Sequence, residues 1–229
     1  MNKITLIIVL SFLIQNCNPH KQVKNIDQSA LDKDCSKIIC NCLDSLNERA
    51  GSTQNNFPDC FSLALDRNYS EIMREFHKSY SDTTQATLTK FTNELEIRFS
   101  ILLIHDCTTF FELTDSLYKQ QYKDLNKDSL KILLQELQTR DITKRNNDYY
   151  EYAGMLYFQL GIYDEALENV EKVLSKDSTR TKSLFIKASI DDKNGNYQEA
   201  IFLYEKIAKL SNKIFYIYSE MAKRKQKSL

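Results

Sequence analysis

The stretch Gly161-Ile162-Tyr163-Asp164-Glu165-Ala166-Leu167 recurs 34 residues later, without a gap, as Gly195-Asn196-Tyr197-Gln198-Glu199-Ala200-Ile201. The pairing continues downstream, Glu171-Lys172 onto Glu205-Lys206 and Leu174 onto Ala208. Upstream, Tyr150 aligns with Leu184 and Gly154 with Ala188. Self-similarity at a fixed period of this length marks an array whose units are single supersecondary elements, each burying its apolar face on its neighbour. Composition agrees with helices rather than strands. Only 4 Gly and 2 Pro occur in 229 residues, too few for the tight turns a strand-rich fold needs. A hydrophobic fraction of 42% supplies a core.

These residues are similar to the tetratricopeptide repeat, a pair of antiparallel helices. The resemblance covers about residues 147–226 and implies an all-α array of two such hairpins. In that reading Gly154 and Ala188 let the second helix approach the first, and Ala166 and Ala200 do the same from the second helix. Tyr163 and Tyr197 fill the gap between one pair and the next. Gly161 and Gly195 end each first helix, where a left-handed residue is cheapest. The sequence departs from the family in two places. Ser178 and Asn212 stand where a closing proline is common, and Lys187 takes a position that is usually apolar. An array needs capped ends. Lys213 to Gln226, apolar at Ile214, Phe215, Ile217, Tyr218 and Met221 and basic at its end, fits a closing helix.

Ahead of the array the pattern is helical and cysteine-bearing. From Asp27 to Ala50, Leu31, Cys35, Ile38, Ile39, Cys42, Leu43 and Leu46 recur at three- and four-residue spacing, and Gly51 follows. A polar loop, 52–56, leads to a helix started by Pro58 that carries Cys60, Phe61, Leu63 and Leu65. Ser70 to Tyr80 reads as a helix, Ser81 to Lys119 as one long or broken helical stretch, and Asp128 as the cap of Ser129 to Thr139. The expected organisation is an export signal (1–16), a polar leader (17–26), a cysteine-containing helical bundle (27–145) and the array with its cap (146–226).

Met1 to Lys3 is a short positive segment, and Ile4 to Ile14 an apolar run too short for a spanning helix, which needs roughly 20 residues. This is the layout of a signal peptide. The following Leu13-Ile14-Gln15-Asn16-Cys17 resembles a lipobox, although Gln15 and Asn16 are larger than usual. The resemblance implies lipidation, by palmitate among other chains, at Cys17. It also implies a place in the cell envelope, and Asn18 leans toward the outer membrane, facing the periplasm.

In an oxidising compartment the remaining cysteines, 35, 40, 42, 60 and 107, are read first as disulfide formers. Cys40 lies roughly 140° around the helix from Cys35, at about 100° per residue, and cannot readily bond Cys42 while helical. Two bridges from Cys40 and Cys42 to Cys60 and Cys107 are expected, with Cys35 a buried thiol; which joins which is open at this point. Zinc held by Cys40, Cys42, His105 and Cys107 is the sharpest alternative, but structural zinc sites use the wider C-x₂₋₄-C spacing. A redox pair would take Cys-x-x-Cys at a helix start after a strand, and no strand pattern precedes Cys40.

No catalytic constellation and no cofactor are expected. His20, His77 and His105 have no serine, cysteine and acid arrangement around them, and there is no G-x-G loop. Glu94, Glu96 and Glu112 have ordinary surface spacing. With 31 basic against 31 acidic residues, nothing attracts nucleic acid. What remains is binding. Tetratricopeptide-type arrays take peptides in the groove lined by the first helix of each pair. That family position here holds Asp148, Glu151, Met155, Phe158 and Gln159, then Lys182, Phe185, Ser189, Asp192 and Lys193. The expected role is a membrane-anchored adaptor for a protein or peptide partner. The alternatives are a thiol redox or metal-binding factor of the envelope, and a purely structural repeat protein in which Phe158 and Phe185 pack on the first domain.

Overall fold

A computed structural model describes residues 28–50, 56–120, 125–139, 143 and 145–228, with side chains 48–50 excepted. The expected signal segment, the leader and Cys17 lie outside the described residues, as do Gly51 and most of the loop after it. Among the described residues there are eleven α-helices and no strand, as the sequence predicts. None of these helices is long and apolar enough to cross a membrane. The described residues divide into two compact units, one up to Leu113 and one from Thr114 onward.

The first unit is built on α1 (Gln28–Ala50), α2 (Phe57–Arg67), α3 (Tyr69–Ser79) and α4 (Gln85–Asp106). Along α1, Leu31, Cys35, Ile39 and Leu43 repeat every four residues and are buried, while Ile38, Cys42 and Leu46 flank them half-buried. α4 answers with Leu88, Phe91, Leu95, Phe99 and Leu103. Aromatic rings fill the space between: Phe61 lies 5.8 Å from Phe99, and Phe76 5.3 Å, edge-on, from Phe91. Arg98 of α4 ties three helices together by ion pairs to Asp32 of α1 and Glu75 of α3. Burial raises the Asp32 carboxyl above its ordinary range despite that partner, while the two carboxylates outweigh burial at Arg98 and hold it protonated.

The stretch 81–119 is broken, not continuous. Asp82 accepts hydrogen bonds from Thr84 N–H (3.1 Å), Thr84 Oγ1 (2.8 Å) and Thr87 Oγ1 (2.6 Å), and these hold its pKa below the usual carboxylate value. Thr84 then caps α4. At the far end Cys107 takes an extended conformation (φ −123°, ψ 109°) and separates α4 from α5 (Thr108–Gln120).

The second unit contains the end of α5, then α6 (Lys127–Gln138), α7 (Asn147–Leu160), α8 (Tyr163–Leu174), α9 (Thr181–Lys193), α10 (Tyr197–Leu210) and α11 (Phe215–Lys227). It begins at 114, ahead of the residue 146 expected from the repeat. α6 joins it by packing Leu130, Leu134 and Leu137 onto Tyr149, Ala153 and Leu156 of α7. The cap of α6 is Asn126, not Asp128. Its Oδ1 accepts from the N–H groups of Asp128 and Ser129, both at 3.1 Å, so the helix starts two residues earlier than expected.

α7–α8 and α9–α10 are the two hairpins of the 34-residue repeat, and they share one terminating device. Gly161 (φ 82°) and Gly195 (φ 80°) stand in the left-handed region. The following N–H returns to the helix in both, Ile162 to the Tyr157 carbonyl (2.9 Å) and Asn196 to the Asp191 carbonyl (2.8 Å). Close approach explains the small residues. Ala166, Ala188 and Ala200 are fully buried, and a Cβ on Gly154 would stand 2.7 Å from Val170 Cγ1. Tyr163 meets Phe158 at 6.0 Å, in a cluster with Val170, Ile186 and Ile190 that joins the first hairpin to the second; Tyr197 is half-buried at the start of α10. Lys187, at the unusual charged position, pairs with Glu171 at 3.1 Å. α11 closes the array by laying Phe215 and Tyr218 on the cluster formed by Leu184, Leu203, Tyr204 and Ile207.

Candidate functional site

The first helices of the hairpins, α7 and α9, and the start of α11 line a cavity of 570 Å³ within the second unit. Helical spacing puts Asp148, Glu151, Tyr152, Met155, Phe158 and Gln159 on one side of α7, and these are the α7 lining. α9 and the residue before it contribute Arg180, Thr181, Lys182, Phe185 and Ile186, and α11 contributes Phe215. The groove therefore joins seven of the ten groove residues expected: Asp148, Glu151, Met155, Phe158, Gln159, Lys182 and Phe185.

Its floor is apolar and its rim charged. Phe158 is only 5% exposed and belongs mainly to the core, beside Ala166, Val170, Ile186 and Ile190. Phe185 is half-buried, with ring neighbours Phe215 at 5.7 Å, Tyr218 at 5.8 Å and Tyr204 at 6.2 Å. The array's own helices thus hold both phenylalanines, leaving Met155 and the open faces of Phe185 and Phe215 as apolar contact surface. At the rim, Arg180 donates to Asp148 (2.9 Å) and also pairs with Asp177 (3.5 Å). Ser183 donates to Glu151 at 3.1 Å. Lys182 is exposed. The lining thus carries both signs of charge, Asp148 and Glu151 against Arg180 and Lys182.

Ser189 and Asp192, both expected in the groove, are elsewhere. Ser189 is fully buried with its Oγ 3.5 Å from the Tyr204 hydroxyl, and Asp192 is ion-paired with Lys225 at 2.9 Å. The reason is that α11 and the end of α5 cover the C-terminal half of α9. Lys193 stands at a separate cavity of 400 Å³, with Lys119, Lys127, Gln159 and Tyr163. Arg180, Thr181, Ile186 and Phe215 are lining residues that the sequence does not predict. Arg180 lies just outside a repeat helix and Phe215 outside both hairpins, so neither is marked by the 34-residue recurrence; Tyr152 belongs to the run Tyr149-Tyr150-Glu151-Tyr152.

The cysteines form two bridges, Cys40–Cys107 (Cα–Cα 5.7 Å) and Cys42–Cys60 (5.6 Å). One fixes α1 to the break after α4, the other fixes α1 to α2. Cys35 is a free, buried thiol, pushed up to about 12 by burial and by the nearby Asp34 and Asp32 carboxylates, so it is not a nucleophile at neutral pH. Asp44 lies within 4.8 Å of the Cys40 and Cys107 sulfurs, but those sulfurs are bonded to each other and offer no thiolate. His105 is exposed and is not part of that group.

No protein-family model matches the chain, and neither the curated proteins nor the solved structures contain a match to it.

Proposed function

We propose that the chain is a membrane-anchored lipoprotein adaptor of the tetratricopeptide-repeat kind, which takes a segment of a partner protein into the groove between α7, α9 and α11. The observation that carries this reading is the groove itself. It is a 570 Å³ concavity with an apolar floor and a balanced polar rim, on the face where the repeat resemblance locates ligand contact. Aromatic and methionine side chains in a recess are the anchors from which protein interfaces draw most of their affinity. The length of the groove across α7, α9 and the start of α11 suits a helix or an extended segment. The apolar run 4–14 followed by Cys17 supports the anchor, and tethering raises the effective concentration of both partners at one surface.

Burial decides which variant tests this. Phe158→Ala would remove a core side chain at a cost of about 3–5 kcal/mol, and would confound binding with stability. Met155→Glu and Lys182→Glu act on half-buried and exposed positions of the lining instead. Affinity capture from envelope extracts with the wild type is expected to enrich a specific protein, and both variants are expected to lose it while keeping helical circular dichroism. Equal recovery by wild type and variants would count against the groove. Labelled-palmitate incorporation that persists in Cys17→Ser would count against the anchor.

A further inference from the structure

Beyond the open groove, α9, α10 and α11 bring buried polar side chains together in one recess. Ser189 and Asp192 come from α9, Tyr204 from α10, and Tyr218 and Lys225 from α11. Burying such groups is unfavourable unless each finds a partner, and an apolar seam of the same shape is often at least as stable. Here the partners come from outside the repeat, from Asp115 and Tyr118 of α5. Three residues apart, these share one face of the helix.

The fit is specific at both positions. Tyr118 is 6% exposed, with its hydroxyl 3.1 Å from that of Tyr204, which in turn is 3.5 Å from Ser189 Oγ. Its ring meets Tyr218 edge-on at 5.7 Å, and the Lys225 ammonium stands 5.4 Å from its centroid. The same ammonium pairs with Asp115 Oδ1 at 3.2 Å and with Asp192 at 2.9 Å. Of the neighbouring α5 side chains, Leu117 is 43% exposed, and Lys119, 62% exposed, pairs along its own helix with Asp115 Oδ2 at 2.5 Å. One helical turn is read by its carboxylate and its phenol.

We propose that this recess is a second ligand site on the inner face of the array, for a helix carrying a carboxylate three residues ahead of a phenol, and that the chain's own α5 is its resident occupant. A partner helix with the same Asp-x-x-Tyr pair enters only by displacing α5. The tethered segment competes at an effective concentration on the order of millimolar, so the wild type holds the site closed to dilute ligand. The recess is distinct from the open groove, and this inference does not depend on what that groove binds.

The test is fluorescence anisotropy of a labelled peptide of the α5 sequence, residues 108–120, against the full chain. The Asp115→Ala/Tyr118→Ala variant is expected to bind the peptide at least about tenfold more tightly than wild type does, because its own competitor is weakened. A peptide with Asp115→Asn and Tyr118→Phe is expected to lose that gain, and so is the variant when Lys225→Met is added. Asp115→Asn/Tyr118→Phe in the chain preserves side-chain volume and serves if the alanine pair loses helical circular dichroism. Equal affinity of wild type and variant for the peptide overturns the proposal, as does equal binding of the substituted peptide. Met155→Glu in the open groove is expected to leave the peptide affinity unchanged, which separates this result from failure of the groove reading.

Discussion

The hydroxyls of Tyr118 and Tyr204 stand 3.1 Å apart, joining α5 to the second hairpin across 86 positions of sequence. Both side chains are buried, so each hydroxyl depends on the other or on Ser189 for a partner. Tyr118→Phe removes one side of that contact and is expected to lower the stability of the second unit by about 1 kcal/mol, measured as the shift in urea midpoint at constant slope. No shift would mean that the two hydroxyls do not bond in solution.

The same cluster predicts alkaline sensitivity. Burial pushes the phenols of Tyr118, Tyr204 and Tyr218 upward. At Lys225 burial alone would lower the ammonium, but Asp192 and Asp115 outweigh it and raise it. Each folded-state pKa lies above its unfolded value. The stabilisation these groups supply is therefore complete below pH 10.0, the free tyrosine value, and is lost as pH rises through the folded values. Chemical denaturation across alkaline pH, followed with tyrosinate absorbance, should show these tyrosines ionising together with unfolding. Ionisation of all tyrosines ahead of any loss of helix would contradict this.

Gly154 tests the reading of the repeat. An alanine there gains helix propensity of about 1 kcal/mol but brings its Cβ to 2.7 Å from Val170 Cγ1 and 3.3 Å from the Ala166 carbonyl oxygen. Valine is stiff at χ1 and the carbonyl is backbone, so the clash wins. Gly154→Ala is expected to destabilise by about 1–2 kcal/mol, as overpacked cores do. Combining it with Val170→Ala should destabilise less than the sum of the single changes; strict additivity would show that the two sites do not touch.

The disulfides predict a thiol count and a ranking. With Cys17→Ser, denatured unreduced protein should titrate one thiol, that of Cys35. Closing loops of 67 and 18 residues, the two bridges should contribute about 4 and about 3 kcal/mol on the chain-entropy account. Removing Cys40–Cys107 should therefore lower the thermal midpoint more than removing Cys42–Cys60. Three or more thiols in the unreduced protein would rule out this pairing.

Arg98 is the polar keystone of the first unit. Arg98→Met leaves Asp32 and Glu75 facing each other with no cation, and is expected to cost about 3 kcal/mol. Adding Asp32→Asn and Glu75→Gln should recover much of that loss by removing the unpaired charges. A triple variant less stable than the single one would show that hydrogen-bond geometry, and not charge balance, sets the cost.

Much of this architecture was legible in residue spacing. The 34-residue recurrence located both hairpins because Gly161, Gly195, Ala166 and Ala200 sit where backbone geometry or close approach leaves little choice. Helical angles separated Cys40 from Cys42 and assigned them to different partners. They could not say which, because the choice depends on how α2 and the end of α4 lie against α1. The loss of Ser189 and Asp192 from the groove was invisible for a related reason. They are covered by Tyr118 of α5 and Lys225 of α11, which belong to no repeat and carry no local signal of long-range contact. Helix starts at Asn126 and Thr84 were missed or blurred where several capping residues stand close together, as Asn126 and Asp128 do.

The most direct test of the groove is site-specific photo-crosslinking in cells, with benzoylphenylalanine replacing Met155 on the lining or Glu168 on the outer helix α8. The account predicts a discrete covalent adduct with one envelope protein from position 155 and none from position 168. No adduct at 155, or the same adducts from both positions, would contradict it.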